Sequence, residues 1–397
     1  MKKIALVCIL LCIVACGRKE SLRRGEKDPV ADEGFSSWAG EVRVLSDSLE
    51  KPEKIPFTTL SMDAVKESFS KKEISEDLIL GFDPREEILY QDRSDPSLET
   101  FQKIGITHEK TGESREIDLD RSYKYIDAMR AENGCLYFIG SNTDAGVDYV
   151  EVHPGGEVKR KELSSFSRIA AFADQEGFYV NLEKTLSQNR IENSLFYIEY
   201  GGDKGRELMK ESFTVAEDGR VKEGHLFSNF YGMGDTAGFQ ELGDYSENVT
   251  EAEGSYLWDR KENVLYKIPF ITKLSAYLAG NRDLIINLRA FQPMGDVEED
   301  RCILYKKEDR GYKPYVLPDY EHSNFIRETR ILKDGRIFIH EDFSIDFVDL
   351  GERKGERISL KEENRNAFSF SRDGYLSFVE KEGERNYLYW GRMENRE

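Results

Sequence analysis

The sequence predicts an all-β fold, a β-propeller of repeated four-stranded units, and three observations predict it. First, Ile331-Leu332-Lys333-Asp334-Gly335-Arg336-Ile337-Phe338-Ile339 reads as strand, tight turn and strand, because Gly supplies the positive φ of a two-residue hairpin turn. Second, the same shape recurs, with turns near Asp83-Pro84, Asn133-Gly134, Glu176-Gly177, Asp218-Gly219, Asn281, Asp334-Gly335 and Asp373-Gly374. Their spacing, roughly 40 to 60 residues, is the period of one propeller blade. Third, the hairpins are followed by an apolar, aromatic strand and then a more polar one. Examples of the third strand are Leu195-Phe196-Tyr197-Ile198, Tyr256-Leu257-Trp258 and Tyr387-Leu388-Tyr389-Trp390. Examples of the fourth are Arg115-Glu116-Ile117, Glu157-Val158-Lys159-Arg160-Lys161 and Glu356-Arg357-Ile358. Strands covered on both faces read as continuous apolar runs, whereas an outermost strand carries charges that discourage edge pairing.

The chain opens differently. Lys2 and Lys3 precede an apolar run from Ile4 to Val14, the layout of a secretory signal, and the remainder holds no apolar run of membrane-spanning length. Ile13-Val14-Ala15-Cys16 closes that run and resembles the bacterial lipobox. The resemblance implies removal of residues 1–15, diacylglyceryl attachment to Cys16, and an exported protein held at the cell membrane or outer membrane. Two or more acyl chains, at about 0.8 kcal/mol per buried methylene, anchor a protein durably. Residues 16–37 then form a lipidated flexible tether: polar, with Gly25, Pro29 and Gly34 and no apolar period. The propeller domain is expected over 38–397.

Without residues 1–15 the chain has 55 basic and 76 acidic residues, a net charge of −21. That excess disfavours nucleic acid, which selects a basic footprint, and favours basic partners or cations. Cys8 and Cys12 leave with the leader and Cys16 takes lipid, so Cys135 and Cys302 remain. Both lie in apolar strand-like runs, where a buried free thiol is the common outcome and no disulfide is expected. Zinc uses about four clustered ligands, which these two cysteines do not supply.

Seven turns give seven four-stranded units, with six or eight also compatible. The last unit provides only three strands, so an early run, Glu41-Val42-Arg43-Val44-Leu45 or Lys54-Ile55-Pro56-Phe57, is expected to complete it and close the ring. A short helix is expected between Asp63 and Lys72, and residues 271–279 also suit a helical face. Pro314, inside the expected fourth strand from Tyr312 to Leu317, fits an edge that tolerates its missing donor. The run Ser371-Arg372-Asp373-Gly374-Tyr375-Leu376-Ser377-Phe378 resembles the repeat of the WD40 and TolB propellers, and Trp258-Asp259 matches the WD40 terminal pair.

In such a fold the connections between second and third strands share one end with the links between units. Those expected here, 91–98, 140–148, 182–193, 228–254 and 289–300, hold sixteen Asp or Glu against four Lys or Arg. Long loops on a rigid scaffold carry binding and catalysis, so this acidic end is the expected working face. Within 228–254, Phe230, Tyr231, Phe239 and Tyr245 lie among glycines and suggest a partner-binding finger, or a flap packed on the strands beneath. Asp296 and Glu298 extend the acidic surface. Asp144 and Asp148 offer oxygen ligands suited to calcium, without EF-hand spacing. His108, His153, His225, His322 and His340 are scattered along the chain. No nucleophile elbow, phosphate-cradling loop or paired-His zinc motif is present. The expected function is therefore a lipid-anchored propeller that binds an envelope protein or other extracytoplasmic ligand through its acidic loops. The alternative is a propeller enzyme, a metal-dependent lactonase or glycan hydrolase with its site on the central axis. A third reading is a structural component of an envelope assembly.

Overall fold

The computed structural model describes residues 41–45, 53–74, 79–142, 146–165, 168–174, 176–202, 205–233, 236–243, 245, 252–268, 278–281, 283–289, 301–308, 311–317, 326–341, 344–360, 369–371 and 373–393. Cys16, Asp144, Asp296, Glu298 and residues 271–277 lie outside this set.

Four strands and a helix come first: β1 (Glu41–Val44), β2 (Glu53–Lys54), β3 (Phe57–Leu60), α1 (Met62–Glu67) and β4 (Ser70–Ile74). None of these strands pairs with another; each is added to a sheet built later in the chain.

The next seven strands form one antiparallel sheet: β5 (Ile79–Asp83), β6 (Ile88–Asp92), β7 (Phe101–His108), β8 (Ser114–Glu132), β9 (Cys135–Asn142), β10 (Gly146–Val152) and β11 (Val158–Ser165). The long β8 belongs to two four-stranded groups. Its first part pairs with β7 and its second with β9, and between them Asp120 takes a φ of 54°, a left-handed kink, with irregular register from Tyr123 to Ala128. The second sheet runs β12 (Arg168–Ala173), β13 (Gly177–Ser187), β14 (Arg190–Glu199), β15 (Arg206–Val215) and β16 (Val221–Glu223).

The third is β17 (Leu226–Met233), β18 (Thr236–Leu242), β19 (Ala252–Asp259) and β20 (Val264–Lys267), with β1 added parallel to β20. The fourth is β21 (Leu278–Asn281), β22 (Leu284–Arg289), β23 (Arg301–Glu308) and β24 (Gly311–Leu317), with β2 parallel to β24. The fifth is β25 (Ile326–Ile331), β26 (Ile337–Glu341), β27 (Ser344–Asp349) and β28 (Lys354–Ser359), with β3 parallel to β28. The sixth is β29 (Ser369–Phe370), β30 (Tyr375–Glu382) and β31 (Arg385–Arg392), completed by β4 antiparallel to β31.

Side-chain alternation explains the packing. In a strand, neighbouring residues face opposite sides, and here both sides are covered. Cys135, Tyr137 and Ile139 of β9 pack with Phe178, Val180 and Leu182 of β13, while Leu136 and Phe138 pack with Tyr90, Ile104 and Ile106. Tyr179 of β13 turns the other way, into a cluster with Phe227, Phe239 and Trp258. The relay continues from Leu257 and Tyr266 to Ile285 and Ile303, from Leu284 and Leu304 to Ile337 and Val348, and from Phe338 and Phe347 to Phe370 and Leu376. Finally Phe82 and Leu89, near the start, pack with Leu388, and Phe82 meets Trp390 edge-on at 5.4 Å. Each cluster therefore joins successive four-stranded groups, and one joins the last to the first.

The amino-terminal segment corrects the expectation for the last sheet. Both early runs pair elsewhere, as fifth strands, and the strand that completes the last sheet is β4, Ser70-Lys71-Lys72-Glu73-Ile74. Its Lys and Glu residues read as helix formers, but they sit well on an outermost strand: Lys71 lies 4.0 Å from the Tyr387 ring centre and 2.7 Å from Glu382. The true helix ends at Glu67. Along its course the segment crosses the outer strands of four successive sheets and leaves Leu45, Ile55 and Val65 buried. Two glycines make room for it. A Cβ on Gly355 would come 2.5 Å from the Phe57 ring and one on Gly391 2.5 Å from the Phe69 ring. Pro314, expected at an edge, instead has β2 outside its strand, paired only to Tyr315 and Val316 beyond it.

The Asp218-Gly219 turn also takes a different place. It joins β15 to β16 within one sheet, and the first hairpin of the following sheet is β17–β18.

Candidate functional site

Chain direction assigns every connection to one of two ends. The turns from first to second strand and from third to fourth lie at one end, the tight-turn end. The connections from second to third strand and between groups lie at the other.

Several of the connections expected to be long are strand instead. Residues 182–193 form the outer part of the β13–β14 hairpin, paired out to Ser187 and Arg190. Residues 140–148 lose all but 143–145 to β9 and β10, and much of 228–254 is β17 and β18. Polar stretches such as Glu183-Lys184-Thr185 still pair because the extended hairpin's backbone bonds continue into solvent. The connection 93–100 remains, tied by Asp92 and Asp95 accepting backbone N–H groups at 2.8 and 2.9 Å.

The expected finger disperses. Phe230 and Tyr231 fall inside β17, with Tyr231 opposite Gly238. Phe239 is fully buried, 5.0 Å from the Phe227 ring and stacked at 5.6 Å on Tyr256. Tyr245 packs against Phe213 and donates its hydroxyl to Glu183 at 3.0 Å. Asp148 is also fully buried. Arg121 Nη1 reaches both its carboxylate oxygens at 3.2 and 3.1 Å, the Tyr123 hydroxyl donates at 3.1 Å and the Asn142 amide at 3.3 Å. Arg160 Nε lies 3.8 Å away and donates to the Tyr123 hydroxyl at 2.9 Å.

This end also presents apolar side chains. Among the described residues the large exposed hydrophobics are Val42, Val44, Leu98, Tyr125 and Leu186. Val42 and Val44 belong to the edge strand β1. The other three share the long-connection end: Leu98 in the β6–β7 loop, Tyr125 where β8 enters its second group, and Leu186 near the tip of the β13–β14 hairpin. They are 48%, 46% and 45% exposed and stand on three successive four-stranded groups. Periodicity could not single them out, because Leu98 and Leu186 are isolated apolar residues among polar ones and Tyr125 lies in an aromatic run that reads as strand.

The first strands of the groups lie side by side, β5 by β8, β8 by β12, β12 by β17, and β17 by β21 and β25. At their tight-turn ends Glu132 sits 3.4 Å from Arg130 Nε and 3.4 Å from the buried Arg330 Nη1, and Arg130 also donates to the Phe370 carbonyl. Asp373 accepts from Arg85 at 3.3 Å and pairs with Lys333. Three of these contacts, Glu132–Arg330, Arg130–Phe370 and Arg85–Asp373, join residues roughly 200 to 290 positions apart along the chain, a separation at which loop closure costs entropy that packing must offset. Cation outweighs carboxylate around Glu132.

Farther along β8, Asp127 is held mostly out of water and its carboxyl is pushed up to about 6, by burial first, against which the Ser141 hydroxyl donating at 3.1 Å pulls down. A carboxyl raised above its unfolded value penalises folding once it ionises. The penalty is absent below about pH 4, grows from there through about 6, and is full above that. Asp127→Asn is therefore expected to stabilise the chain by up to about 3 kcal/mol at about pH 8, with the gain fading toward pH 4. Urea melts at the two pH values check this.

One set of ligating groups converges among the described residues: Cys135, Glu151 and His153, at the tight-turn end. Chain spacing hid it, since Cys135 and His153 stand eighteen residues apart. The β9–β10 register, drawn out by one residue, would have found it.

No family profile and no curated protein matches the chain. Among solved structures it is similar to the β-propeller domain of the Trilobed protease from Pyrococcus furiosus. The identity is 10%, over 78% of this chain and 91% of that one, with a TM-score of 0.45. It is also similar to the Pyrococcus horikoshii acylaminoacyl peptidase, at 11% identity and TM-score 0.46, over 88% of this chain but 53% of that one, so it spans about half of that peptidase. A third similarity is to the WD40 domain of SCAP from fission yeast, at 11% identity and TM-score 0.37, over 82% and 98%.

Proposed function

We propose that this chain is an exported, lipid-anchored β-propeller of seven four-stranded units that binds a protein partner through its long-connection end. The relay of apolar clusters from each group to the next, returning from Leu388 to Phe82, supports the closed ring. The lipobox-like Ile13-Val14-Ala15-Cys16 supports the anchor. The observation that carries the binding face is the set Leu98, Tyr125 and Leu186, exposed on three successive units at one end. Large apolar and aromatic side chains held in water on a rigid frame gain most from being covered by a partner. The acidic character of the chain biases that partner toward basic surfaces. Around the ring axis, Glu132 is bound between two arginines, an arrangement that holds strands together rather than one that leaves a carboxylate to activate water.

The test is photocrosslinking in intact envelopes, from a reactive residue placed at Ser187 and, for comparison, at Glu352 on the opposite end. An adduct from 187 that disappears when Leu98, Tyr125 and Leu186 are replaced by Ser supports the reading. Equal adducts from both ends, or an adduct unchanged in the triple variant, overturn it. In the same cells Cys16→Ser is expected to leave the membrane fraction and to lose palmitate label.

A further inference from the structure

We propose that Cys135, Glu151 and His153 form a binding site for one divalent cation of the zinc class. The site follows from the β9–β10 hairpin. Tyr137 pairs with Glu151 and Leu136 with Val152, so one step further sets Cys135 opposite His153. Residues two apart in a strand share a face, which places Cys135, Tyr137, Glu151 and His153 together on the side turned toward β13.

Sulfur, nitrogen and oxygen donors meet there. Cys135 Sγ lies 3.4 Å from His153 Nδ1, and one ligand atom from each of the three residues lies within 4.8 Å of the others. Two ligands of a tetrahedral zinc, with bonds of about 2.3 Å to sulfur and 2.0 Å to nitrogen, stand about 3.5 Å apart. His153 Nε2 lies 2.6 Å from Glu151 Oε1, yet it is buried and makes no hydrogen bond, so the two polar atoms face each other off the line that a shared proton needs. That approach is shorter than two ligands of one ion allow, so it is an ion-pair contact, and His153 would ligate through Nδ1, the nitrogen beside the Cys135 sulfur. A thiolate and a carboxylate with a neutral imidazole would balance a 2+ charge, and this mixed donor set suits zinc or cobalt better than calcium.

The frame is pre-organised. Cys135 follows a turn in which Asn133 and Gly134 have φ of 51° and 74°, and Gly134 is fixed by its N–H donating to Asp83 at 2.6 Å and its carbonyl accepting from Tyr90 at 2.7 Å. His153 is pinned through its own backbone, donating to the Glu157 carbonyl and accepting from Gly156, each at 2.9 Å. Tyr137, stacked at 4.8 Å on Tyr200, lies beneath the site with its side chain hydrogen-bonded to Cys135. Cys135 and Glu151 are buried whereas the His153 side chain is 26% exposed, so a fourth position opens toward water. Three protein ligands and one open position are the pattern of an exchangeable or reactive zinc site rather than a sealed structural one.

The experiment uses the full chain, reduced and stripped with chelator, titrated with Co²⁺ as the probe. One equivalent should bring up the near-ultraviolet thiolate-to-cobalt charge-transfer band with intense visible bands of tetrahedral cobalt, and Zn²⁺ should displace both. Cys135→Ser should abolish the charge-transfer band, His153→Ala should weaken cobalt binding at least about tenfold, and Cys302→Ser should change neither. Circular dichroism of each variant confirms that it is folded, and Glu151→Gln, which keeps shape, stands in for any that is not. No band in the parent chain, a band that survives Cys135→Ser, or equal affinity in His153→Ala or Glu151→Gln overturns the site.

Discussion

Replacing Asp148 by Ala is expected to cost about 3–5 kcal/mol of folding stability, the effect of stranding a buried charge rather than of losing one hydrogen bond. The carboxylate accepts from Arg121, Tyr123 and Asn142, and Arg160 reaches the same cluster through the Tyr123 hydroxyl. Without it two arginines and a buried phenol face each other, with only the more distant Glu162 carboxylate, 4.0 Å from Arg121, left beside them. These residues span the point where β8 passes from one four-stranded group to the next, so the loss loosens the joint and not only a side chain. Asp148→Asn keeps the shape and part of the hydrogen bonding but not the charge, and should fall between wild type and Ala. Urea midpoints of the three proteins measure this. A cost below about 1 kcal/mol for Ala, typical of an exposed ion pair, would contradict the reading.

A chain that begins at Ile79 is expected to lose cooperative folding altogether. It lacks β1 to β4 and α1, which leaves the last sheet with three strands and removes Leu45, Ile55 and Val65 from the interior. Burying three such side chains is worth about 1.5–3 kcal/mol each, together about 5–9 kcal/mol, comparable with the whole net stability of a domain. Exposed edges on β31 and β28 would add a route to aggregation. A chain spanning 38–397 should unfold in one sharp urea transition, whereas the 79–397 chain should show a broad transition and bind a hydrophobic dye in the absence of denaturant. Equal transitions in the two would mean that the amino-terminal segment is ornamental.

The hairpins were legible wherever a turn residue announced them. Asn133-Gly134, Asp334-Gly335 and Asp373-Gly374 all join paired strands, and Gly134, Gly335 and Gly374 all have positive φ. The β13–β14 hairpin was not legible, because Gln188-Asn189 lacks glycine and the flanking polar residues look like loop. The fate of β4 was hidden for a different reason. Its local preference is helical, and only a partner more than 300 residues away, Tyr387 or Tyr389, makes it a strand. Phe239 shows the converse error: glycines nearby suggested a mobile finger, yet Gly232 and Gly238 lie in paired strands and the ring is core. The Cys135–Glu151–His153 set needed register rather than composition, since the residues are neighbours across a hairpin and strangers along the chain.

A closed ring requires the first group of strands to pack against the last. Phe82 and Trp390 lie 308 positions apart in sequence and meet edge-on with ring centres 5.4 Å apart. A double-mutant cycle with Phe82→Leu and Trp390→Leu tests that contact directly. In a closed ring the two single losses should fail to add, with a coupling of about 0.5–1.5 kcal/mol. Losses that add to within about 0.3 kcal/mol would place the two ends of the chain apart and contradict the closed ring.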